Sequence, residues 1–163
     1  MNADSGLDAV ISAFIRYPEM SSIKYEAKNN IVDMEMILKG HIVDKQQKRF
    51  VERTGQSLAL FYKLHQISPR RLEINYAGRR DITILTFSRD IGSLIEEEIE
   101  LYVILACQEF AAVLLTDEME QDFNSVSYRE FKKSVMRKIN SERHPYQKVF
   151  AYRDGGKMFV FDK

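Results

Sequence analysis

Residues 71–110 read RLEINYAGRRDITILTFSRDIGSLIEEEIELYVILACQEF. This stretch decides the fold. Leu72, Ile74 and Tyr76 alternate with Glu73 and Asn75, the period of two that marks a strand with one buried face. Gly78 can take a positive φ, which predicts a short hairpin loop over residues 77–81. Residues 82–87 are rich in β-branched and aromatic side chains, which favour a strand. Both parities of that run are partly apolar, so it belongs inside a sheet. Residues 90–92 break the strand. Ser93 then stands three residues before Glu96, the spacing of a capping box. Glu96, Glu97 and Glu98 fill the first turn of a helix, where the dipole favours carboxylates and solvation is the plain expectation. Ile95, Ile99, Tyr102, Val103, Ala106 and Phe110 form its apolar stripe.

A hairpin beside one amphipathic helix cannot bury its apolar face alone, and the flanking sequence offers partners. Toward the N-terminus, Leu7, Val10, Ile11, Phe14 and Ile15 make a helical stripe that Pro18 ends. Ile23, Tyr25 and Ala27, then Val32, Met34, Met36 and Leu38, alternate around a Lys28-Asn29-Asn30 turn. Asp44 with Gln47 opens a second helix, carrying Phe50, Thr54, Leu58 and Phe61 on one side. Gly55 inside it implies a close backbone approach or a bend, because glycine there costs about 1 kcal/mol against alanine. Residues 111–116 fit either a short strand or the end of the preceding helix. Residues 117–124 read as an acidic loop. A further helix carries Phe131, Val135 and Ile139. A last hairpin forms around Asp154-Gly155-Gly156.

The theme is helix then hairpin, used three times without sequence repetition. It predicts an α+β fold: a mainly antiparallel sheet built from β-hairpins, with amphipathic helices packed on one face. Residues 1–116 form a helix–hairpin–helix–hairpin–helix core. Residues 117–163 add the acidic loop, the basic helix and the terminal hairpin, packed on the same domain.

The 163 residues suffice for one domain that buries about 70% of its unfolded surface without disulfide or metal support. The single Cys107 lies in the apolar sector of its helix, reads as a structural thiol, and fits a reducing compartment. No apolar run reaches the roughly 20 residues of a membrane helix, and residues 1–10 lack a signal pattern. The cytoplasm is the expected location. Net charge is zero but segmented. Residues 1–82 hold 13 Lys and Arg against 10 Asp and Glu, residues 83–126 hold 1 against 10, and residues 127–163 hold 10 against 4.

Motifs for chemistry are missing. There is no P-loop, no G-x-G-x-x-G after a strand and no nucleophile elbow. His41, His65 and His144 have no metal-ligand spacing, and residues 117–122 lack the calcium-loop pattern. No cofactor or metal is expected. Three functional readings remain. The first is a non-catalytic protein-interaction or regulatory domain, binding an unknown protein partner or a second copy through Tyr152, Phe159 and Phe161 of the last hairpin. The second is RNA or other polyanion binding by Arg129, Lys132, Lys133, Arg137, Lys138 and Arg143, joined by Lys148, Arg153 and Lys157 among aromatics. A pI near 6.8 weighs against it. The third is a small-ligand-binding protein or an enzyme of unstated reaction, with His41, His65 and Tyr62 as candidates.

Overall fold

A computed structural model describes residues 3–116, 148–154 and 157–162. The elements run α1 (Ala3–Arg16), β1 (Ser22–Glu26), β2 (Ile31–Lys39), α2 (Asp44–His65), β3 (Leu72–Arg79), β4 (Ile82–Asp90), α3 (Glu96–Phe110), β5 (Lys148–Asp154) and β6 (Lys157–Asp162). The six strands form one sheet in the order β3-β4-β2-β1-β5-β6, with every neighbouring pair antiparallel. This is the α+β fold that the alternating hairpins and helices predict. The last hairpin joins the main sheet, because β5 pairs with β1 from Ser22↔Tyr152 to Glu26↔Lys148.

Strand parity sets the two faces. One continuous row crosses all six strands as Ile74–Phe87–Met34–Ile23–Ala151–Val160. Its four central members are buried, and Ile74 and Val160 pack against the same core. The helices cover this face. Phe14 of α1, Phe50 of α2 and Phe110 of α3 are each at most 1% exposed, and a core side chain of this size contributes roughly 1.5–3 kcal/mol by leaving water. Phe50 meets Phe87 edge-on at 6.2 Å, and Phe87 stacks flat on Tyr102 at 4.5 Å. The adjacent row on the other face reads Asn75–Thr86–Glu35–Ser22–Tyr152–Phe159. No described helix covers it.

Local details depart from the sequence reading in four places. The left-handed residue of the β3–β4 hairpin is Arg80, at φ 50°, while Gly78 sits within β3. Arg79 pairs with Ile82, so the loop is residues 80–81. Gly55 neither meets a neighbouring backbone nor interrupts its helix; a Cβ there would face open space. Neither α2 nor α3 has a side-chain N-cap bond, and the caps are Val43 and Ile95. Gln47 instead reaches the Ile42 carbonyl at 2.9 Å. Residues 111–116 are neither strand nor helix but a turn with a single bridge. The helix stops at Phe110, and Leu114 bridges Leu38 alongside β2.

Candidate functional surfaces

The end of the open sheet face carried by β5 and β6 is aromatic. Tyr152 and Phe159 are cross-strand partners, stacked at 5.2 Å and inclined by 19°, and remain 38% and 41% exposed. In the next row Lys24 pairs with Phe150, and its ammonium lies 5.8 Å from that ring. The backbone register sets Phe161 opposite Phe150. Lys24 is also held by Glu35 at 2.9 Å, and Glu35 accepts from Ser22 Oγ at 2.7 Å. A hollow of about 310 Å3 opens beside this group, lined by Lys24, Glu26, Asp33, Lys148 and Phe150. The surface is therefore an aromatic patch with mixed charges at its margin.

Arg153 does not belong to that surface. Its guanidinium turns to the helical side, donating to the carbonyls of Met20 and Tyr17 at 3.0 and 3.2 Å and lying 4.6 Å from the Phe14 ring. It ties the last hairpin to α1, and the expectation that it adds to a basic surface is corrected accordingly. Arg129, Lys132, Lys133, Arg137, Lys138 and Arg143 lie outside the described residues.

A second feature is inside the molecule. Arg89 extends the inward parity of β4, after Thr83, Leu85 and Phe87, and is fully buried. All five of its N–H groups are used. Nε and Nη2 donate to the two oxygens of Glu98 at 2.9 and 3.0 Å. Nη1 donates to the Asp90 carbonyl at 2.6 Å and to Asp90 Oδ1 at 2.8 Å, and Nη2 also reaches Ser93 Oγ at 3.1 Å. Glu98 Oε2 accepts from Tyr62 at 2.9 Å and from Tyr102. Burial opposes the Arg89 charge, but the hydrogen bond and charge of Glu98 outweigh it and raise its pKa. Burial, then the Glu98 charge, pushes Tyr62 up to about 12 and Tyr102 well above its ordinary value. Both phenols therefore stay protonated and act as donors.

Glu98 departs from the expectation that the acidic first turn of α3 is solvated. Of the three glutamates in that turn only Glu97 is exposed. Ser93 likewise serves Arg89 rather than a helix cap. Two sequence signals point to the pair. Arg89 is the sole Lys or Arg in residues 83–126 and keeps the inward parity of β4. Glu98 lies four residues before Tyr102, on the stripe side of α3.

His41, His65 and Tyr62 do not converge. Tyr62 joins the Arg89 end of β4. His41 lies near Gly78 at the other end, close to the β3–β4 loop, about 20 Å away at strand rise. His65 is exposed and stacks on Phe61 at 4.2 Å, rather than resting partly buried. Burial first, then Glu19, raises the pKa of the half-buried Cys107 and disfavours its thiolate. Among the described residues no group of three or more His, Cys, Asp or Glu has the arrangement of a metal site, and no helix is long and apolar enough to cross a membrane. Comparison with family models, curated proteins and solved structures finds no significant match.

Proposed function

We propose that this chain is a non-catalytic protein-interaction module of the cytoplasm that binds a protein partner, or a second copy of itself, through the aromatic end of its open sheet face. The observation that carries this reading is the stacked pair Tyr152–Phe159, exposed on the face that no described helix covers. Large aromatic rings in water are poised to anchor an interface, since most binding energy comes from a few such residues. Their stacking fixes both rings before contact, which lowers the ordering cost of association. The cytoplasmic part rests on the lone cysteine.

A second reading is supported by the same geometry. Aromatic rings on an open sheet face are also a platform for unstacked bases. It ranks lower because Glu35, Asp33 and Glu73 occupy the same two rows and repel phosphate.

The test compares the wild type with Tyr152→Ser/Phe159→Ser. Light scattering over a concentration series reads self-association, quantitative affinity capture reads protein partners, and filter binding of single-stranded RNA at two salt concentrations reads the second reading. Loss of self-association or of a defined captured partner in the variant, at an unchanged melting temperature, supports the interaction module. Identical behaviour of the two proteins removes it. Salt-sensitive RNA binding that the variant loses replaces it with the second reading.

A further inference from the structure

At the Asp90 end of β4 the surface opens into a hollow of about 380 Å3, lined among others by Asn29, Asn30, Ser68, Arg70, Asp90 and Ser93. This volume is at the small end of the roughly 300–1,000 Å3 of ligand sites. Its floor is the rim of the Arg89 cluster. Asp90 is only 9% exposed, and its Oδ1 is saturated by Arg89 Nη1 at 2.8 Å and by the backbone N–H groups of Arg70 and Arg71 at 2.9 Å each. No hydrogen bond from a described residue reaches Oδ2. That oxygen lies beside Gly92, 3.8 Å from where a Cβ would stand, and Gly92 itself is exposed on the hollow. Three donors thus hold a carboxylate rigid while its second oxygen, on a side chain 12% exposed at the edge of the hollow, stays open to a ligand that can displace water.

Charge indicates what that partner is. Arg89 carries one positive charge against two negative ones on Asp90 and Glu98, and the two phenols are neutral. Of these groups only the Asp90 carboxylate lines the hollow, and a donor cation answers it. Ser93 Oγ accepts from Arg89 Nη2, so its own proton is left to donate. Arg70, exposed on the rim, forms no ion pair among the described residues and adds a cation of its own. A ligand carrying both signs suits both groups.

We infer that this hollow binds a small zwitterion, a free α-amino acid, with the ammonium on Asp90 Oδ2 and the carboxylate toward Ser93 and Arg70. The site lies apart from Tyr152 and Phe159, so it gives an interaction module a metabolite input and stands or falls independently of the aromatic patch.

Calorimetric titration of the full chain with each of the common L-amino acids tests the site. The N-acetylated and the amidated forms of any binder serve as the decisive probes. The expected result is that at least one free amino acid binds, that either blocked form binds at least tenfold more weakly, and that Arg70→Ala weakens binding about tenfold, or 1.4 kcal/mol, without moving the melting temperature. Asp90→Asn is expected to abolish binding; if that variant unfolds, the exposed Arg70 decides. Absence of binding by every amino acid up to roughly 10 mM overturns the inference, as does binding that blocking either end or Arg70→Ala leaves unchanged.

Discussion

The Arg89 guanidinium grips the Glu98 carboxylate through two parallel bonds of 2.9 and 3.0 Å, with neither side chain exposed to water. The pair joins the last inward position of β4 to the first turn of α3, so it fixes how the helix sits on the sheet. A buried ion pair of this kind is worth little net against an apolar replacement, because desolvating two charges offsets their attraction. Removing one partner alone is different, since it strands the other charge.

Arg89→Met and Glu98→Leu are therefore each expected to destabilise the fold by about 3–5 kcal/mol. The double variant Arg89→Met/Glu98→Leu should lose clearly less than the two single changes added together. Urea unfolding of the four proteins measures this. Additive losses would mean that the two side chains act separately and that the geometry is incidental.

Alkaline pH should act through the same cluster. Tyr62 is raised to about 12 in the folded protein, and Tyr102 is raised as well. An unfolded tyrosine ionises near pH 10. Because the folded state holds these protons more tightly, their contribution is fully present below pH 10 and is lost as pH rises through the folded value. The melting temperature should fall steeply above about pH 10. Tyr62→Phe/Tyr102→Phe should be less stable at neutral pH, by the loss of two hydrogen bonds to a charged group, yet show a shallower alkaline slope. A slope unchanged by the double variant would place the alkaline sensitivity elsewhere.

Much of this architecture is legible in the residues themselves. Alternation in 72–76 and 31–38 names the buried row before any coordinate does, since a strand with one wet face has no other pattern. The strand order is not legible. Nothing local in residues 148–154 says that they pair with β1, because any half-buried strand satisfies the same alternation. The Arg89–Glu98 pair is only half legible: the inward parity of Arg89 marks one partner, while Glu98 is ambiguous. A glutamate in a first helical turn is favoured by the dipole whether it faces water or a buried arginine, so position alone cannot separate the two. The apparent capping box failed similarly, because Ser93 has a stronger partner in Arg89 than in a backbone N–H.

Two glycines in helices should respond in opposite ways to alanine. A Cβ on Gly6 of α1 would land on the Ile91 carbonyl, backbone that cannot yield cheaply. Gly6→Ala should cost about 1–3 kcal/mol as overpacking. Gly55 of α2 has open space at that position, so Gly55→Ala should gain about 0.5–1 kcal/mol from helix propensity. Thermal melts of the two variants decide. A stabilised Gly6→Ala would show that α1 can slide away from the β4–α3 connection.

Arg153 offers a test of how the last hairpin is secured. Its guanidinium donates to the carbonyls of Tyr17 and Met20, just after α1, and lies over Phe14. Hydrogen bonds from a charged group contribute roughly 1.5–3 kcal/mol each, and Arg153→Leu keeps the apolar contact while removing both. The backbone pairing of β5 with β1 is untouched by this change. Amide exchange should therefore accelerate first in residues 148–154 and in residues 22–26, at denaturant levels where β2 and β4 remain protected, because sub-global opening follows the weakest docked unit. Equal acceleration across the whole sheet would show that the hairpin opens only with the global fold, and that β5 is held by its ladder rather than by Arg153.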